Sequence, residues 1–158
     1  MKRTLITGIA LLSAAPALAT SAVGEIEVQA DLTAVENLEA AQVWTSLSDD
    51  LETEIAERLV SRISEDGATI KVDIDEVALA NLFSQRLGGA QSKLVGDVEI
   101  DAPGLFNQID YTLTVTADQA IAYYPEGTTP GEVSVDSEIY YNAMLDAFAD
   151  NVASKFDR

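Results

Sequence analysis

The chain has no cysteine and no histidine among its 158 residues. Losing histidine removes the commonest general base and the commonest metal ligand. Ser-His-Asp and Cys-His catalysis, and His-bearing zinc or haem sites, therefore cannot be assembled within one chain. Losing cysteine removes thiolate nucleophiles, thiolate metal sites and disulfides, which a domain of this length does not need for stability. Positive charge is also scarce, with nine Lys and Arg against 27 Asp and Glu. There is no Ser-x-x-Lys spacing, no Gly-x-Gly-x-x-Gly, no phosphate-cradling loop and no EF-hand loop. Any enzymatic activity would have to rest on carboxylates alone, so the expectation is a protein that is not an enzyme and carries no cofactor.

Only the amino terminus holds a long uncharged apolar run. Lys2 and Arg3 precede Leu5 to Ala15, Pro16 breaks the helix, and Ala17-Leu18-Ala19 supplies the small-x-small pattern of a signal peptidase site. The run is shorter than the roughly 20 apolar residues a membrane span needs. Residues 1–19 are expected to be a cleavable export signal, with Ala22 as the alternative cleavage point. The mature product, residues 20–158, is then one acidic domain, periplasmic or secreted. A lipid anchor would need a cysteine at the cleavage point. Cleavage shortens the chain from 158 to 139 residues and removes two bases and no acid, taking the net charge from −18 to −20.

The acids are spread evenly: residues 20–79 hold 15 acids and 3 bases, and residues 80–158 hold 12 and 4. Such a surface repels phosphates and anionic lipid, which argues against nucleic acid and membrane surfaces as partners. It favours cations or a basic protein face. Adaptation to salty surroundings, where screening removes carboxylate repulsion, explains the same composition.

Alternation marks four strands. Ile26, Val28 and Ala30 share one face of Glu25–Ala30. Ile70, Val72 and Ile74 oppose Lys71, Asp73 and Asp75 in the strand running from Ala68 to Val77. Leu94, Val98 and Ile100 oppose Asp97, Glu99 and Asp101 between Ser92 and Ala102. Ile109, Tyr111, Leu113, Val115 and Ala117 oppose Thr112, Thr114 and Thr116 between Asn107 and Asp118. Two helices complete the pattern. One spans about Glu36 to Glu65 with a stripe of Val43, Leu47, Leu51, Ile55, Leu59 and Ile63, flanked by Ala40, Trp44, Ala56 and Val60. A kink or second start is expected at Ser46–Asp50, and Asp66-Gly67 is expected to end it with left-handed glycine. The other, capped by Asp136, runs to about Phe156 with Tyr141, Met144, Leu145, Phe148, Val152 and Phe156 inward. Residues 119–135 read mostly as loop. The fold class is α+β: a two-layer, four-stranded, mainly antiparallel sheet with two helices on one face, in the order β-α-β-β-β-α.

Two groups of residues are candidates for function. Asp73, Asp75, Asp97 and Glu99 lie on outward faces of two strands and, if the registers match, could hold a hard cation such as Ca²⁺. A merely solvated outer face, or a carboxylate-only hydrolase, are the alternatives for the same residues. Phe83, Arg86, Tyr123 and Tyr124 form the second group, two rims suited to contact with another envelope protein. The alternative is that Tyr123 and Tyr124 pin their own loop. The segment SDDLETEIAERLVSRISEDGATIKVDIDEVALAN (Ser48 to Asn81) resembles a group of small exported uncharacterised proteins of alphaproteobacteria, with a weaker echo in Leu94 to Val115. The resemblance implies no activity, cofactor or site residue. The helix-on-sheet layout also looks like that of accessory subunits of envelope transport systems.

The apolar stripe is tested by Ile55→Asp. A charge placed at its centre should cost more than roughly 4 kcal/mol and unfold the domain. A cooperative melt near that of the parent would contradict the assignment.

Overall fold

The structure is a computed structural model that describes residues 22–30, 44–78, 92–104 and 108–157. Residues 1–19, expected to be an export signal, lie outside the described residues, as do Phe83, Arg86 and residues 36–43 of the expected first helix. Four strands, β1 (Val23–Ala30), β2 (Ala68–Ala78), β3 (Lys93–Asp101) and β4 (Gln108–Thr116), form one sheet in the order β1-β2-β3-β4. β1 and β2 run parallel, joined through helix α1 (Leu47–Arg58), while β2, β3 and β4 pair antiparallel. After β4 come a single-turn helix α2 (Ala117–Ala120) and the long helix α3 (Glu138–Ala153). The α+β class and the two-helix, one-sided layering expected from the sequence are those of the protein.

Alternation puts every large apolar strand residue except Val95 on one side. Register aligns Ile26, Ile70, Ile100 and Ile109 in one row and Val28, Val72, Val98 and Tyr111 in the next. α1 and α3 lie on these rows, burying Leu47, Leu51, Ile55 and Leu59 from one helix and Met144, Leu145, Phe148 and Val152 from the other. Gly96 makes the close fit possible: a Cβ there would stand 2.9 Å from the Asp73 carbonyl oxygen and 3.3 Å from the Phe148 ring. Trp44 is fully buried and meets Tyr141 edge to face at 5.0 Å. The Tyr141 hydroxyl donates to Asp50 at 2.6 Å, tying the start of α1 to α3. At the other end, the Arg58 guanidinium donates to Glu54, Asp146 and Asp150 together. Burial opposes the charge of Arg58, but hydrogen bonds to these three carboxylates outweigh it and hold the group more firmly protonated than usual.

Several boundaries differ from the expectation. α1 starts at Leu47, at the anticipated weak spot, but stops at Arg58 and not near Glu65. The run Val60-Ser61-Arg62-Ile63-Ser64 is poor in helix formers; it tightens into a single 3-10 turn over Val60–Arg62, and the backbone beyond it turns to β1. Ser64 N–H donates to the Val23 carbonyl at 2.8 Å, and Ile63 bridges Val23. The buried stripe therefore ends at Leu59; Val60 is 72% and Ile63 55% exposed. Gly67 is not left-handed either. It is glycine because a Cβ would stand 2.4 Å from the Val23 carbonyl carbon. β4 ends at Thr116, not Asp118, because Gln119 Oε1 accepts from Thr116 N–H at 2.8 Å and starts α2. Part of the expected loop is thus helical. Ser137, not Asp136, caps α3, accepting from Tyr140 N–H, while Asp136 accepts from the Ser134 hydroxyl. Among the described residues no helix is long and apolar enough to cross a membrane.

Burial pushes the Tyr111 and Tyr140 hydroxyls up to about 12. Tyr141 is also raised, by burial and then by Asp50. An unfolded tyrosine ionises near 10, so above that pH the unfolded chain loses protons that the folded one keeps. Stability should be unaffected by these groups below about pH 10 and fall as pH rises through about 12. Tyrosinate absorbance and far-ultraviolet dichroism followed together should change in one step. Full ionisation near pH 10 with the fold intact would contradict this.

Candidate functional site

Among the described residues, no element covers the other side of the sheet. Three rows of outward residues cross all four strands, and Val95 with Thr114 and Lys93 with Thr116 continue the face beyond them. Glu25, Thr69, Asp101 and Gln108 form the first; Glu27, Lys71, Glu99 and Asp110 the second; Gln29, Asp73, Asp97 and Thr112 the third. The twist of the sheet shapes this face into a trough of about 590 Å³, floored by parts of Val72, Val98 and Tyr111. Five carboxylates line it, those of Glu27, Asp73, Asp97, Glu99 and Asp110, around the single base Lys71. A smaller hollow of about 160 Å³ continues the trough past Glu25, Thr69 and Asp101.

Neutral side chains separate and orient the charges. Thr112 Oγ1 donates to Asp97 at 2.6 Å, and Gln29 Nε2 donates to Glu27 at 2.7 Å. Gln108 Nε2 lies 3.3 Å from both Glu99 Oε1 and Asp110 Oδ1, donating toward each. Lys71 stands between Glu27 and Glu99 in its row. The third row has no such relief: Asp73 and Asp97 are register partners, like charges directly opposed. Such a pair is destabilising, and the fold keeps it in solvent, where screening limits the cost.

Of the four residues expected to form a cation site, Asp73 and Asp97 are thus brought face to face. Glu99 sits one row away opposite Lys71, and Asp75 falls at the register shift between Ile74 and Glu76. Among the described residues no three carboxylates come together in a group that could hold a metal ion. Tyr123 and Tyr124 lie on the helix side, half-buried against the core. The Tyr123 hydroxyl donates to Asp150 at 2.9 Å, joining the Arg58 cluster. Burial raises both tyrosines, with Asp150 adding to the effect at Tyr123.

Glu27, Lys71, Asp110 and Thr112 were not among the sequence candidates. Their outward alternation is visible in the sequence, but their place around one trough depends on which strands are neighbours. The same holds for Asp146 and Asp150, which complete the cluster that Glu54 and Arg58 begin on a single helix.

No family model matches the chain, and no curated protein matches it. Two solved structures show a distant likeness. A crystal structure of an uncharacterized protein is 10% identical, with a TM-score of 0.38, over 87% of this chain and 88% of its own. A "putative lipoprotein" from Caulobacter crescentus is 15% identical, with a TM-score of 0.35, over 83% of this chain and 86% of its own. At such distances the chain's own geometry has to carry the functional reading.

The opposed Asp73–Asp97 pair gives a signature. Asp73→Asn should raise stability by about 0.2–1 kcal/mol at low ionic strength, with the gain shrinking as salt is added. A melting temperature lowered by this substitution would show that the pair is structural.

Proposed function

We propose that this protein is a non-catalytic module exported to the cell envelope, where the bare sheet face receives an extended Lys- or Arg-rich segment of another protein. The observation that carries this reading is the trough itself, with five carboxylates around one lysine on a face no described element covers. An extended basic chain laid there would relieve the repulsion between Asp73 and Asp97 and pair with Glu27, Glu99 and Asp110. The sequence supports the same reading: no histidine, no cysteine, an export signal and a surface that repels nucleic acid and anionic membranes. Such a contact forms quickly and weakens with salt, which suits an accessory protein that engages and releases.

Titration with a decalysine peptide tests the proposal. Binding is expected, weakening as salt rises, and falling at least tenfold in a variant carrying Asp73→Asn, Glu99→Gln and Asp110→Asn. A control carrying Asp66→Asn, Glu126→Gln and Glu132→Gln, the same charge change away from the trough, should keep nearly parental affinity. Equal losses in the two variants would reduce the interaction to overall charge and contradict the proposal.

A further inference from the structure

The sheet has two edges, and they are built differently. The β1 edge is blunted: its register slips between Val23 and Glu25, Ile63 bridges Val23, and Glu25 and Glu27 project from it. These are the devices that keep an edge strand from pairing with another chain. β4 lacks the slip and the bridge, and its single charge is Asp110. It is nine residues long, pairs with β3 without a register shift, and contains no lysine, arginine, proline or glycine. Its residues are mostly strand formers, and among the described residues no strand lies beyond it. Ile109, in one row with the buried Ile70 and Ile100, is 43% exposed at this edge.

We infer that β4 is a dimerisation edge, pairing antiparallel with β4 of a second copy of this chain about a two-fold axis through Thr112. The choice of occupant follows from self-complementarity. Directly opposed residues in an antiparallel pair share a face, so the two-fold must relate positions of equal parity. Thr112 is the midpoint of Gln108–Thr116, and a two-fold there overlaps the whole strand. Thr112 then meets Thr112 of the second copy, Asp110 meets Thr114, and Gln108 meets Thr116. On the helix side Ile109 meets Val115 and Tyr111 meets Leu113. No carboxylate faces another, the half-exposed isoleucine gains an apolar neighbour, and threonine pairs are favourable opposites. The same operation on β1 fails. A two-fold through Ile26 sets Glu25 against Glu27 twice, and one through Glu27 sets that residue against itself. Contacts of this kind are isologous and closed, so the assembly stops at two. It would also join two acidic troughs side by side on one continuous sheet face. The inference does not depend on what the trough binds.

Light scattering on the eluting protein, without any ligand, should report a dimer. Two like-charged chains repel, so dimerisation should strengthen as salt rises. Because the chain has no cysteine, Thr112→Cys introduces a lone thiol. Opposed antiparallel residues are about 4.5–5.5 Å apart between Cα atoms, within disulfide range. Mild oxidation should therefore convert Thr112→Cys to covalent dimer at least tenfold faster than Glu126→Cys, on an exposed turn away from the edge. Ile109→Lys, at a site already part-exposed in the single copy, should give a monomer with an unchanged far-ultraviolet spectrum. A monomer at every salt and concentration would overturn the inference. So would a dimer that survives Ile109→Lys, or cross-linking of Thr112→Cys no faster than that of the control.

Discussion

Everything in this protein follows from how four strands divide their side chains. Each alternates, apart from register shifts in β1 and β2, so isoleucine, leucine and every valine but Val95 collect on one face of the sheet and carboxylates on the other. The apolar face fixes the register, since a slip of one residue would turn the isoleucine rows into water. Once the register is fixed, the positions of the outward charges are fixed with it. Asp73 opposes Asp97 because Val72 opposes Val98 in the row beside them. The core thus imposes an arrangement of charge that no local interaction would choose.

The few basic residues show the same division of labour. Arg58, Arg62 and Lys155 all serve the helix side. Arg58 gathers carboxylates from both helices, Arg62 reaches Asp157 at 2.8 Å, and Lys155 lies 4.8 Å from the centre of the Tyr111 ring. Lys71 is the lone base lining the trough. Lys93, at the start of β3, shares the outward phase of Lys71 beyond the trough; the other described bases join elements on the helix side, and the trough is left strongly acidic. A stable surface would distribute the pairs more evenly, so the imbalance marks the face as one suited to complementary charge from outside.

How much of this was legible in the sequence depends on the range of the interaction. Leu94 to Ile100 and Ile70 to Ile74 announce their faces by alternation alone, and Leu47 to Leu59 announces its stripe by spacing. Local periodicity thus yields the elements, the buried residues and the two-layer class. It cannot say that β1 runs parallel to β2, or that Ser64 would leave its helix to bond Val23 across the sheet. Gly67 reads as a left-handed cap locally and proves to be a close approach between distant segments. The trough was half visible for the same reason. Asp73 and Asp97 stood out as charges on neighbouring strands, while Glu27 and Asp110 joined them only once the strand order was known.

The central claim is that the bare face, and no other acidic surface, receives a basic chain. Backbone amide chemical shifts recorded while decalysine is added test it residue by residue. The account predicts that Glu27, Lys71, Asp73, Asp97, Glu99, Asp110 and Thr112 shift together and saturate at one affinity, while α1 and α3 stay still. Shifts of similar size at Asp66, Glu126, Glu132 and the outer side of α1 would contradict it, and leave the acidity of the protein as a property of its whole surface.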